Sequence, residues 1–314
     1  MVKIFNWTNI KILILGSIII GIFVSFQSVF AHGTVTSGET EIAQVATSTL
    51  ITPVTNLSLT PTPNATATLI AFKPQQNADW TPIERNFDGV TMVLVPAGCF
   101  TMGNDSEAVY WDGNEWLQGV PDGGEQCFDE PFWIDKTEVT QADFERLEGQ
   151  QNNSPEFEGA NRPVERILWF EAHDFCELRG GRLPNEAEWE YVARGLDRLF
   201  FPWGNEWVAN NAVSDRSSSE GTADVGNILA GVSWVGALDM SGNVGEWTSS
   251  IYTDYPYYRH EDAIGTRGEL GHIIRGGSFL SLTSNLRSAH RKWVNPNLMT
   301  YFTSVGFRCA RDYE

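Results

Sequence analysis

Apolar residues in this chain come in short bursts rather than long periodic runs. Val90 to Val95, Phe132 to Ile134, Ile273-Ile274 and Val305 to Arg308 are compact apolar stretches bounded by turn formers, and they predict short strands. Three segments carry helix signals. Thr140 with Asp143 three residues on forms a capping box that leads through Phe144 and Leu147 to a stop at Gly149. Phe170, Phe175 and Leu178 predict a second helix ending at Gly180-Gly181, and Asn185 with Glu188 opens a third that stops near Gly195. Long stretches rich in Gly, Asn, Ser and Trp lie between these elements without a period. Buried peptide groups there need side chains, turns or ions as partners, which points to bound cations, disulfides and tryptophan-anchored loops.

The pattern differs before residue 77. Lys3 and Lys11 lead into an apolar run from Ile12 to Phe26, and Val29-Phe30-Ala31 gives a small-residue exit. Residues 1–32 therefore read as a secretory signal cleaved after Ala31, or as an uncleaved N-terminal membrane anchor. Either way the rest of the chain is expected to be secreted or held on the extracytoplasmic face, touching a membrane only through this segment. Residues 33–76 shift to Thr, Ser, Pro, Asn and Ala, a composition that cannot bury enough apolar surface to offset chain entropy. They read as a disordered spacer, leaving residues 77–314 as one folded domain.

Composition narrows the function. The 314 residues carry 21 basic and 40 acidic side chains, a net charge of −19 that falls in the folded part. A basic footprint for a phosphate backbone is missing, so nucleic-acid binding is excluded as an expectation. Four cysteines in a chain of this length define neither a disulfide-dense mini-protein nor C-x-x-C metal spacing.

Five segments carry a resemblance when taken in order: Val93 to Gly103, Lys136 to Thr140, Gly181-Arg182-Leu183-Pro184-Asn185-Glu186-Ala187-Glu188-Trp189-Glu190, Gly236-Ala237-Leu238-Asp239-Met240-Ser241-Gly242-Asn243-Val244-Gly245-Glu246-Trp247, and Arg275-Gly276-Gly277-Ser278-Phe279 with Gly306-Phe307-Arg308-Cys309. Together they resemble the formylglycine-generating enzyme, or sulfatase-modifying factor, superfamily. The resemblance implies a single compact α+β domain of C-type-lectin-like architecture, with little regular secondary structure and structural calcium. It also implies a reference activity, the copper-dependent oxidation by O₂ of a cysteine in a sulfatase motif to formylglycine.

That activity needs two cysteines shortly after the Arg-Gly-Gly-Ser-Phe strand, because Cu(I) is soft and prefers thiolate sulfur to a neutral hydroxyl. Ser281 stands at the first of these positions, and the second has no counterpart in the shorter segment to Arg287. No catalytic residue is therefore assigned, and copper is not expected. The alternatives are a divergent oxidase, including one with a shifted copper site at His290, and His290 as a surface or packing residue. By the same resemblance Cys176 pairs with Cys309. Cys99 and Cys127 remain for a second bridge, the expected outcome, or for two buried thiols.

The family's calcium frame maps onto Asp239 and Glu246 as carboxylates with the Gly242 and Val244 carbonyls, an oxygen set that suits calcium's flexible coordination. Gly245 departs from the pattern, since relatives usually carry Trp there, and the expectation is either looser packing beside the site or an opened pocket. A second calcium site maps onto Asn211, the Ala212 carbonyl and Asp215, against an Asx-turn loop as the alternative. Trp203, Trp207, Trp234, Trp247 and Trp293 read first as core wedges. The loop with Tyr252, Tyr255, Tyr257 and Tyr258 reads with His290 and Trp293 as a candidate ligand surface. The function this favours is a calcium- and disulfide-stabilised binding or scaffold module for a peptide or glycan. The alternatives are a formylglycine-generating or divergent oxidase, and a display protein that varies the loop from Arg291 to Thr303.

Overall fold

The computed structural model describes residues 72–103, 109–111, 116–118, 122–215, 219–252, 271–294 and 303–313, with only the backbone described for 109–111 and 116–118. The signal or anchor at 1–32, most of the spacer, Tyr255, Tyr257, Tyr258 and residues 295–302 lie outside the described residues. Among the described residues no helix is long and apolar enough to cross a membrane.

In chain order the strands before the helices are β1 (Glu84–Phe87), β2 (Val90–Val95), β3 (Gly98–Gly103), β4 (Val109–Trp111), β5 (Trp116–Gln118), β6 (Asp122–Phe128) and β7 (Phe132–Asp135). Among the described residues the α-helices are α1 (Gln141–Arg146), α2 (Trp169–Leu178) and α3 (Glu186–Arg194). The closing strands are β8 (Gly245–Ile251), β9 (His272–Arg275), β10 (Arg291–Val294), β11 (Val305–Gly306) and β12 (Ala310–Asp312). One sheet runs β1-β2-β7-β12 and the other β10-β9-β8-β11, with β3 paired to β6 and β4 to β5. The result is a mixed α/β fold of short elements joined by long irregular segments.

Local chemistry explains the helices. Thr140 Oγ1 accepts from Asp143 N at 3.0 Å, and Asn185 Oδ1 accepts from Glu188 N at 2.9 Å while Glu188 returns the bond to Asn185 N at 2.8 Å. Gly195 ends α3 with φ 66°, a left-handed turn that suits glycine. The second helix begins at Trp169, one residue before the predicted start, because Glu171 reaches back to Leu168 N at 2.8 Å.

The predicted strand from Val305 to Arg308 is shorter than expected. Only Val305 and Gly306 pair, in parallel with β8. Phe307 is fully buried and packs edge-on against Phe144 and Phe175, while Arg308 turns inward to Glu246. That inward turn breaks the strand, which resumes at Ala310, so Cys309 lies between β11 and β12 rather than at a strand end.

Both disulfides form, Cys176–Cys309 and Cys99–Cys127, and no cysteine is free. Cys99 and Cys127 face each other directly in the β3–β6 ladder, whereas Cys176–Cys309 ties α2 to the last strands across 133 residues. In the chain-entropy picture the long closure stabilises by about 5 kcal/mol. Tryptophan indoles pin the irregular segments to peptide carbonyls: Trp169 to Thr248 O, Trp234 to Tyr191 O and Trp247 to Ile167 O. Trp234 and Trp247 are core residues, as the wedge reading expects.

Candidate functional site

Strand β9 ends at Arg275, and Gly276 (φ 88°) and Gly277 (φ 70°) turn the chain in succession through the left-handed region. A Cβ at Gly277 would come within 2.7 Å of Asn285 O. This turn delivers Ser278 and Ser281 to the floor between β8, β9 and β10. Ser281 Oγ accepts from Ser278 N at 2.9 Å, and the two hydroxyl oxygens lie 3.5 Å apart. Ser278 Oγ also accepts from Leu280 N at 3.3 Å.

These serines line a cavity of about 260 Å³ together with Asn285, His290, Lys292 and Ser304, and with an apolar wall of Ile274, Val294 and Val305. Gly245 lies in that wall too, and a Cβ there would already sit 2.7 Å from Ile274 Cγ2. Gly245 therefore lies at the cavity edge with its backbone packed closely against Ile274.

The cavity rests on a buried charge network. Arg275, fully buried, donates to the Ala289 and His290 carbonyls at 3.0 and 3.1 Å and to Ser288 O at 3.0 Å. Its charge is met by Glu186 at 3.3 Å and by Glu190, and Glu186 also takes Arg291 at 2.6 Å. Burial opposes the charge on Glu190, but Arg275 and Arg194 outweigh it and hold the carboxyl below its usual range. The segment carrying His290 is therefore clamped to α3. Burial first, then the charges of Arg275, Lys292 and Arg287, push the His290 imidazole down to about 4, so the ring is neutral at physiological pH.

The candidate ligand surface divides. His290 and Lys292 line the cavity, whereas Trp293 is 57% exposed and packs against Tyr252, with ring centres 6.2 Å apart, under Arg291. Strand alternation in β10 sends Lys292 and Val294 one way and Trp293 the other. Trp203 and Trp207 form a separate aromatic cluster with Phe201. Sequence reasoning missed Ser278 and Lys292. The period-two alternation through Val294, Lys292 and His290 was the signal that could have found the lysine.

The first calcium frame gathers acidic groups. Glu138 accepts from Asn243 Nδ2 at 2.9 Å and from Val244 N at 3.1 Å, and the fields of Asp239 and Glu246 reach it. Burial, reinforced by those two carboxylates, drives Glu138 well above the usual range, and burial raises Asp239 to about 6. Glu246 is also held by Arg308, at 2.6 and 2.7 Å, and by Trp189 Nε1 at 2.7 Å. The donors are all hard oxygens, the type calcium takes, while both oxygens of Glu246 are already engaged by Arg308. Copper does not fit around Ser281: every sulfur that could hold Cu(I) as a thiolate is in a disulfide, and the cavity offers hydroxyls and one imidazole.

The second frame is placed differently. Asn211 closes a 3₁₀ turn at Ala209–Asn211, Ala212 is buried, and Asp215 (φ 50°) donates its backbone N–H to Ser281 O at 3.2 Å, joining that loop to the cavity. Among the described residues the close set of three His, Asp or Glu ligand atoms is instead His173, Asp174 and Glu177 on the surface of α2.

A sheet pair of short strands, three small helices, two bridges and an Arg-Gly-Gly-Ser turn over a cavity define a sulfatase-modifying-factor type of domain. A family profile for the sulfatase-modifying factor enzyme 1-like domain matches residues 76–313, and the chain belongs to that family. Formylglycine-generating enzyme of Mus musculus is 28% identical over 292 residues, covering 71% of this chain and 75% of that protein. Hercynine oxygenase of Mycolicibacterium smegmatis is 28% identical over 260 residues, covering 68% of this chain and 60% of that protein. Treponema denticola variable protein 1 shares the fold, with a TM-score of 0.55 at 21% identity over 74% of this chain and 100% of that one.

Proposed function

We propose that this domain is an extracytoplasmic binding or scaffold module of the sulfatase-modifying factor family that does not generate formylglycine, and that the cavity at Ser278, Ser281 and His290 is its ligand site. One observation carries this reading: Ser281 opens into the cavity where the resemblance expects a copper-binding cysteine, and all four cysteines are tied in bridges. An alcohol does not replace a thiolate toward a soft d¹⁰ ion. The two disulfides support folding in an oxidising compartment. Calcium, held by Asp239, Glu246 and the Gly242 and Val244 carbonyls, would neutralise the buried carboxylates and fix the turn; its role is structural.

Within the cavity the chain's own groups bind and orient. The Ser278 and Ser281 hydroxyls donate, neutral His290 offers one donor and one acceptor, and the Ile274, Val294 and Val305 wall excludes water from an apolar ligand body. Family membership and the presence of His290 in the cavity favour a second reading, a divergent oxidase with a relocated copper site. Competition for Cu(I) against a strong chelator separates the two. The binding-module reading predicts no transfer of Cu(I) to the protein; transfer that is lost in His290→Ala defeats it.

A further inference from the structure

The cavity presents hydroxyl, amide and imidazole groups and one ammonium to a ligand. No carboxylate lies among its described lining residues, although the chain carries a net charge of −19. The serine oxygens are already engaged by backbone N–H groups, Ser281 Oγ by Ser278 N and Ser278 Oγ by Leu280 N. Each oxygen accepts one N–H, and with the two oxygens 3.5 Å apart at most one hydroxyl proton is spent between them, so at least one is left for the cavity. Asn285 and Ser304 add further polar groups.

The cations around the cavity are not equivalent. Arg275 is neutralised by Glu186 and Glu190, and Arg291 by Glu186. Lys292 lines the cavity, is exposed, and makes no ion pair among the described residues. Among the described lining residues Lys292 is the one cation and His290 is neutral, so the lining carries one positive charge and suits a single negative one. The remaining wall is apolar, from Ile274, Val294 and Val305, with the Gly245 backbone at its edge. A volume of about 260 Å³ accommodates one ring and its acid, well short of an oligosaccharide or a nucleotide.

We infer that the cavity binds an organic monocarboxylate on an apolar, ring-sized body, with Lys292 and the Ser278 and Ser281 hydroxyls taking the carboxylate and the Ile274, Val294, Val305 and Gly245 wall taking the body. This rests on reading the cavity as the ligand site. The carboxylate comes from a free aryl acid or from the C-terminus of a peptide ending in an aromatic residue. Charge-assisted hydrogen bonds to the acid, absent for its neutral isostere, set the discrimination.

Calorimetric titration of the purified full chain tests it with indole-3-acetate, its neutral amide, tryptamine, and a short peptide ending in Phe with a free or an amidated C-terminus. The acid binds at least about tenfold more tightly than the amide or the amine. Of the two acid sources, the tighter is the one the site serves. Lys292→Gln, at an exposed position, weakens the acid about tenfold and leaves the amide unchanged, and Gly245→Trp fills the cavity and abolishes both. Far-ultraviolet circular dichroism and melting confirm that each variant is folded; where Gly245→Trp is not, Lys292→Gln decides. Equal binding of acid, amide and amine, no binding of either acid, or an unaffected Lys292→Gln overturns the inference. Those results are distinct from failure of the binding-module reading, which shows itself as Cu(I) uptake or formylglycine formation.

Discussion

Replacing Arg308 by methionine removes a cation that faces the buried carboxylates of Glu246, Asp239 and Glu138. The guanidinium is fully buried and donates to both oxygens of Glu246, at 2.6 and 2.7 Å, to Leu238 O at 2.8 Å, and to Asp135 O and Lys136 O at 3.0 and 3.3 Å. Methionine keeps much of the volume and none of the donors. Breaking a buried pair by removing one partner costs about 3–5 kcal/mol, because the other charge stays buried and uncompensated. The freed carbonyls each add on the order of 1 kcal/mol where water cannot reach them. A loss of at least about 4 kcal/mol is therefore expected out of a total near 5–15. Urea unfolding followed by tryptophan fluorescence, with disulfides intact, measures it. With a slope of about 2.5 kcal/mol per molar the midpoint falls by about 1.5 M, and Arg308→Lys, which keeps charge without the fork, falls between. A midpoint shift under about 0.5 M for Arg308→Met would refute the assignment of Arg308 as the counter-ion that holds these loops together.

Three further outcomes follow from particular groups. Burial raises the Glu165 carboxyl to about 7, although Glu156 N and Phe157 N donate to it. Its folded pKa lies above the unfolded 4.5, so its contribution is full below about pH 4.5 and is lost as pH rises through 7. Glu165→Gln is expected to raise the melting temperature at pH 8 and to leave it nearly unchanged at pH 4.5; a larger gain at the acid end would reverse the argument. Cys176→Ser with Cys309→Ser is expected to cost about 5 kcal/mol in the same urea assay, more than opening the shorter Cys99–Cys127 loop, at about 3.5 kcal/mol. Calcium at a hundredfold excess over its Kd would stabilise by about 2.7 kcal/mol, so chelation lowers the melting temperature by about 5–10 °C. No change on chelation in the wild type would remove calcium from the account.

Much of the local structure was legible in the chain because local chemistry produces it. Thr140 and Asn185 are short-range caps, and both act as caps. The second helix was misplaced by one residue, because its first N–H is met by a Glu171 carboxylate rather than by a small polar cap. Long-range features were not legible. Glu186, Glu188 and Glu190 carry charges that ordinarily stay in water, yet all three are buried, because Arg182, Arg275 and Arg291 reach them, two of these from across the fold. The strand break after Gly306 depends on Arg308 finding Glu246, 62 residues away.

The site was half legible. Ser281 and Gly245 stood out against the family pattern, and both line the cavity. Trp293 was grouped with His290 by proximity in sequence, whereas strand alternation separates them. Ser278 was hidden inside a motif whose glycines draw the eye first.

The central claim is that this domain keeps the architecture and lacks the reaction of its oxidising relatives. Incubation of the purified chain with Cu(I), O₂, a thiol reductant and a sulfatase-motif peptide, read by mass spectrometry after carbonyl-specific labelling, tests it directly. The account predicts an unlabelled peptide whose cysteine is intact or simply disulfide-linked. A labelled aldehyde at that cysteine, formed with turnover and absent without the protein, would contradict it.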